Sequence, residues 1–133
     1  MPRRVLDTNI LIGHWIKKSR GAPMRSFTTS NALRWGRELR ESLDTNITLT
    51  PICLEFMCGQ RSAHEIRLAK AYLSLLTVAD GGMILKEDWI EAQRIAERVP
   101  RDGLRRQLGD CLIRAICNRL HLDVLTAEKR FPF

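Results

Sequence analysis

The chain has 133 residues, of which 44% are hydrophobic and 28% charged, values that suit one globular domain with one core and exclude a sequence too polar to fold. No apolar run approaches the roughly 18 residues of a membrane span, and the opening MPRRVLDTNILIGHW has too short an apolar segment and too central an acid for a signal peptide, so a cytoplasmic protein away from membranes is expected. Twenty-two Lys and Arg against 15 Asp and Glu leave a net charge of +7, a positive field that makes nucleic acid the expected partner class.

Residues 3 to 6, RRVL, read as a short buried strand, and Thr8 or Asn9 is placed to cap a helix running through Ile10, Leu11, Gly13, His14 and Lys17. Asp7 is left at the strand's carboxyl end, inside an otherwise aliphatic stretch. After the polar break SRGAPMRSFTTS, a helix is predicted over about 31 to 43. Its apolar positions Ala32, Trp35, Leu39 and Leu43 follow the 3.6-residue period, with Arg34, Arg37 and Arg40 on the outer side. ITLT, 47 to 50, is β-prone, and Thr50-Pro51 has the form of an N-cap followed by a proline, predicting a helix through about Gly59. A helix over 63 to 76 and a strand over 76 to 80 follow, then a helix over 86 to 99 with Trp89, Ala92, Ile95, Ala96 and Val99 inward. Gly109-Asp110 opens the last helix, whose apolar stripe is Leu112, Ile113, Ile116, Cys117 and Leu120, and DVLTA, 123 to 127, forms the last strand. This alternation predicts an α/β fold with a central, mostly parallel sheet flanked by helices. Cys53, Cys58, Cys111 and Cys117 form no C-x-x-C and have no paired histidine, so they read as buried free thiols rather than zinc ligands or disulfides.

Ligands of open α/β sheets sit outside the carboxyl ends of the strands. Asp7 ends the first strand, Glu55 falls early in the helix after the second, Asp110 begins the helix leading into the last strand, and Glu128 follows that strand. Taken singly, each has an ordinary use: capping for Asp7 and Asp110, dipole pairing for Glu55, solvent exposure for Glu128. Gathered on one edge they would repel each other unless a cation bound among them. An all-oxygen set suits Mg²⁺ or Mn²⁺ rather than zinc. Such an ion can activate water and stabilise charge on a phosphate, which on a basic protein points to phosphodiester hydrolysis.

The segments VLDTNILI, TPICLEFMCG and GDCLIRAICNRLHLDVLTAEKRF, in this order and spacing, resemble a PIN-domain ribonuclease, and more closely the VapC-type toxins of bacterial toxin–antitoxin pairs. The resemblance covers nearly the whole length. It implies a single PIN-like domain over 1–133, a three-layer sandwich, and an Mg²⁺- or Mn²⁺-dependent endoribonuclease. In that reading Asp7, Glu55 and Asp110 hold the metal while Thr8, Asn9 and Thr126 support the site. It also implies a homodimer and a co-expressed antitoxin. The last segment departs from the family pattern: Glu128 stands where an Asp is commoner, and its longer side chain would reach the metal directly or through water as a fourth acid.

Arg34 and Arg37, with Arg105 and Arg106 just upstream of Asp110, are the expected partners of an RNA backbone, with Arg40, Arg98 and Arg101 nearby in sequence. His14, His64 and His121 are not expected to be catalytic, and Trp15, Trp35 and Trp89 fit helix packing better than base stacking. Two rival readings are a phosphoacceptor or phosphatase, for which DTNIL lacks the second acid two residues on, and a non-catalytic PIN-like RNA-binding or scaffold module.

Overall fold

Val5 and Leu6 are wholly buried because their strand, β1 (Arg4–Leu6), lies inside the sheet with a neighbour on each side. In the computed structural model, which describes residues 3–98 and 107–126, β2 (Ile47–Thr48), β3 (Thr77–Val78) and β4 (Asp123–Leu125) complete a four-stranded sheet of order β3-β2-β1-β4. Every pairing is parallel, and Val5 is in register with Ile47 on one side and Val124 on the other. Parallel neighbours need long crossovers, and these are supplied by α1 (Thr8–Ser19), α2 (Thr29–Leu43), α3 (Thr50–Cys58), α4 (Ala63–Leu73), α5 (Lys86–Ala96) and α6 (Leu108–Leu120). The architecture is the expected α/β one, a parallel sheet flanked by helices. No helix among the described residues is long and apolar enough to cross a membrane.

The core is one contiguous cluster of buried hydrophobic side chains. At its centre Trp15 of α1 meets Trp35 of α2, Phe56 of α3 and Tyr72 of α4 edge-on, with ring centroids 5.5, 5.4 and 4.9 Å apart, the geometry aromatic quadrupoles favour. Gly36 lets α2 settle on α4, since a Cβ there would stand 2.8 Å from the Tyr72 carbonyl oxygen.

Several boundaries differ from the sequence reading, each for a local reason. Helix α2 begins at Thr29 because Thr28 and Asn31 cap reciprocally: the Thr28 amide donates to Asn31 Oδ1 at 2.8 Å and the Asn31 amide to Thr28 Oγ1 at 3.3 Å. Leu49, not Thr50, is the N-cap of α3; the Thr50 hydroxyl donates instead to the Gly82 carbonyl at 3.3 Å. Strands β2 and β3 are two residues each, and beyond β3 a 3-10 turn over Ala79–Gly82 contains left-handed Asp80 and Gly81. Trp89 does not face inward: it is 50% exposed, and Ala96 is exposed as well. The inward row of α5 is Asp88, Ala92 and Ile95. Asp88, 1% exposed, takes the core-facing place because Arg119 of α6 binds it bidentately at 2.8 and 2.9 Å and the Leu85 amide donates to it at 2.9 Å. Val99 and Ala127 lie outside the described residues.

Candidate functional site

From β1 the chain steps to β2 and β3 on one side of the sheet, then returns to place β4 on the other side of β1. The strand order therefore reverses between β1 and β4, the kind of switch point where α/β sheets bind ligands. Asp7 follows β1 and Thr126 follows β4. The Asp7 amide donates to the Leu125 carbonyl at 3.0 Å, carrying the ladder one step past the strands.

Asp7 occupies the N-cap position of α1 in extended conformation, and its carbonyl accepts from the Ile10 and Leu11 amides. Thr8 is the first helical residue, so neither Thr8 nor Asn9 is the cap. The Asp7 carboxylate does not cap the helix either. It is 5% exposed and accepts from the Thr126 hydroxyl, 2.8 Å from its Oδ2. Thr126 Oγ1 in turn lies 3.0 Å from Asn9 Nδ2 and 3.2 Å from Asn9 Oδ1. A threonine has one proton, and a carboxylate is the stronger acceptor. The consistent assignment is a chain in which the Asn9 amide donates to Thr126 and Thr126 donates to Asp7. Thr8, beside them, buries a hydroxyl that has no hydrogen-bond partner among the described residues.

Glu55 is the sixth residue of α3, which packs on α1, α4 and α6. Its side chain is exposed and reaches the first turn of α6, so that a Cβ built on Gly109 would collide with Oε1 and stand 3.2 Å from Cδ. Gln107, the N-cap of α6, gives no side-chain cap hydrogen bond. The Glu55 carboxylate thus lies at the positive end of that helix, an arrangement worth roughly 0.3 to 1 kcal/mol at an exposed site. Asp110, half-buried, is the third helical residue rather than the cap.

Two groupings result: Asp7 with Thr126 and Asn9, and Glu55 against Gly109 one residue before Asp110. Among the described residues no three His, Cys, Asp or Glu side chains are gathered so as to hold a metal ion. Uncompensated carboxylates repel one another. By donor chemistry the carboxylates of Asp7, Glu55 and Asp110 and the unpartnered buried hydroxyl of Thr8 are oxygen ligands of the kind a hard divalent cation takes. Glu128, Arg101, Arg105 and Arg106 lie outside the described residues.

The other titratable groups have structural roles. Burial, with Lys18 and Lys17 close by, lowers the His14 pKa against the opposing pull of Glu38. Burial also pushes the Tyr72 phenol well above its usual range. A neutral imidazole therefore accepts at Nδ1 from the Tyr72 hydroxyl, 2.7 Å away. His64 Nε2 donates to the Phe27 carbonyl at 2.9 Å, and His121 is the left-handed C-cap of α6. Cys111 and Cys117 are buried as expected, and burial drives the Cys117 thiol up to about 12; Cys53 is half-buried and Cys58 exposed, against the expectation that all four are buried. Arg34 and Arg37 are exposed on α2, while Arg40 is half-buried. No family model matches the chain, and no curated protein or solved structure matches it significantly.

Proposed function

We propose that this protein is an Mg²⁺- or Mn²⁺-dependent endoribonuclease of PIN-domain type, and the toxin of a toxin–antitoxin pair. The observation that carries this reading is the nearly buried Asp7 carboxylate, tied to Thr126 across the β1/β4 switch point by residues the resemblance names as site and support. Asp7, Glu55 and Asp110 would hold the ion, with Glu128 as a fourth acid. When bound, the ion supplies an activated water and positive charge for the reacting phosphate. Thr126 occupies Oδ2 of Asp7 and fixes the carboxylate's rotation; Asn9 fixes Thr126. Exposed Arg34 and Arg37, on a chain of net charge +7, supply counter-charge for an RNA backbone. A homodimer silenced by an antitoxin belongs to the same reading and rests on the resemblance alone, while its cytoplasmic location rests on the sequence pattern of the first residues and the lack of a membrane-length apolar run.

The test is inducible expression of wild type and Asp7→Asn in bacteria with mapping of RNA ends, alongside cleavage by purified protein across an Mg²⁺ and Mn²⁺ titration. Wild type is expected to cut RNA with metal and Asp7→Asn to be inactive while folded. Wild-type protein that binds RNA but cuts none at any metal concentration would leave the non-catalytic RNA-binding reading in its place.

A further inference from the structure

Gly109 stands in the first turn of α6, a helix that begins without a side-chain cap. A glycine there weakens the helix, by up to about 1 kcal/mol relative to alanine in a helix interior. Its backbone is helical and not among the positive-φ glycines, so no unusual conformation demands it. What a side chain there would change is the position of Glu55, whose carboxylate occupies the place where a Cβ would stand. A local rule is broken in exchange for room.

We infer that Gly109 is a positioning residue, whose missing side chain lets Glu55 reach from α3 onto the start of α6, one residue from Asp110, so that acids from two helices serve one divalent cation. This rests on the metal-dependent reading above. The atom a Cβ would strike is the free end of an exposed, flexible side chain. Gly109→Ala therefore displaces the Glu55 carboxylate and leaves the packing of α3 on α6 in place. If Glu55 served only as a dipole partner for α6, the same substitution would change stability and leave metal binding alone.

The experiment measures Mn²⁺ binding by calorimetry, and metal-free thermal midpoints, for the full chain as wild type, Gly109→Ala, Glu55→Gln and the double variant. Gly109→Ala is expected to keep or slightly raise the metal-free midpoint and to weaken Mn²⁺ binding by roughly tenfold to a hundredfold, the range seen for groups that orient metal ligands. In the Glu55→Gln background it should add no further loss, because its effect passes through Glu55. Wild-type affinity in Gly109→Ala, an equal loss in both backgrounds, or a Gly109→Ala chain that fails to fold would each overturn the inference while leaving the metal reading intact. A wild type that binds no Mn²⁺ would overturn both.

Discussion

Replacing Thr126 with valine keeps the side-chain volume and removes one hydroxyl, which isolates the bond to Asp7. That hydroxyl donates at 2.8 Å to a carboxylate 5% exposed, so water cannot readily replace it. A hydrogen bond to a charged group is worth about 1.5 to 3 kcal/mol. For a chain of 133 residues the entropy of unfolding per residue converts this to a fall in thermal midpoint of about 5–10 °C. Circular-dichroism melts at neutral pH without added metal measure it directly. Cleavage should fall by roughly tenfold to a hundredfold as the Asp7 carboxylate loses its fixed rotation. In an Asp7→Asn background the same substitution should cost clearly less, because the charged acceptor is gone. A Thr126→Val protein that melts with wild type and cuts RNA at the wild-type rate would refute the reasoning and leave the Asp7–Thr126 hydrogen bond without energetic or functional weight.

Burial alone would raise the Asp88 carboxyl, but the Arg119 guanidinium and the Leu85 amide outweigh it and hold the pKa below its ordinary value. A carboxyl lowered by folding stabilises fully above its unfolded pKa, near 4, and loses that contribution as pH falls through the folded value. Arg119→Ala should cost about 3 to 5 kcal/mol at neutral pH by stranding a buried charge, and the gap to wild type should narrow on acidification as Asp88 protonates. Urea melts showing a constant gap down to about pH 3 would contradict this linkage. The exposed pair Arg34 and Arg37 is tested by alanine substitution of both: the slope of log affinity for single-stranded RNA against log salt should flatten by up to ~0.7 for each phosphate no longer neutralised. An unchanged slope would remove α2 from the RNA path.

Strand-helix alternation and the apolar stripes of α2 and α6 were legible in the residues themselves. Hydrophobic period and cap chemistry act over a few neighbours, and they place Asp7 at a strand end without any partner in view. The same local signals misplaced Trp89, because an indole outranks a carboxylate as a core candidate until a guanidinium 31 residues away grips that carboxylate with both arms of its fork. They could nominate Thr126 as a support only through the family resemblance, since the bond to Asp7 closes over 119 residues and exists because β4 lies beside β1. Glu55 is similar: nothing along the helix TPICLEFMC says that its carboxylate will lie in the empty place at Gly109. Sequence determines which segments seek a core and which residues could do chemistry. Which acid meets which hydroxyl, glycine or arginine is decided by the order in which parallel strands assemble, because that order alone sets which chain ends share the sheet's carboxyl edge.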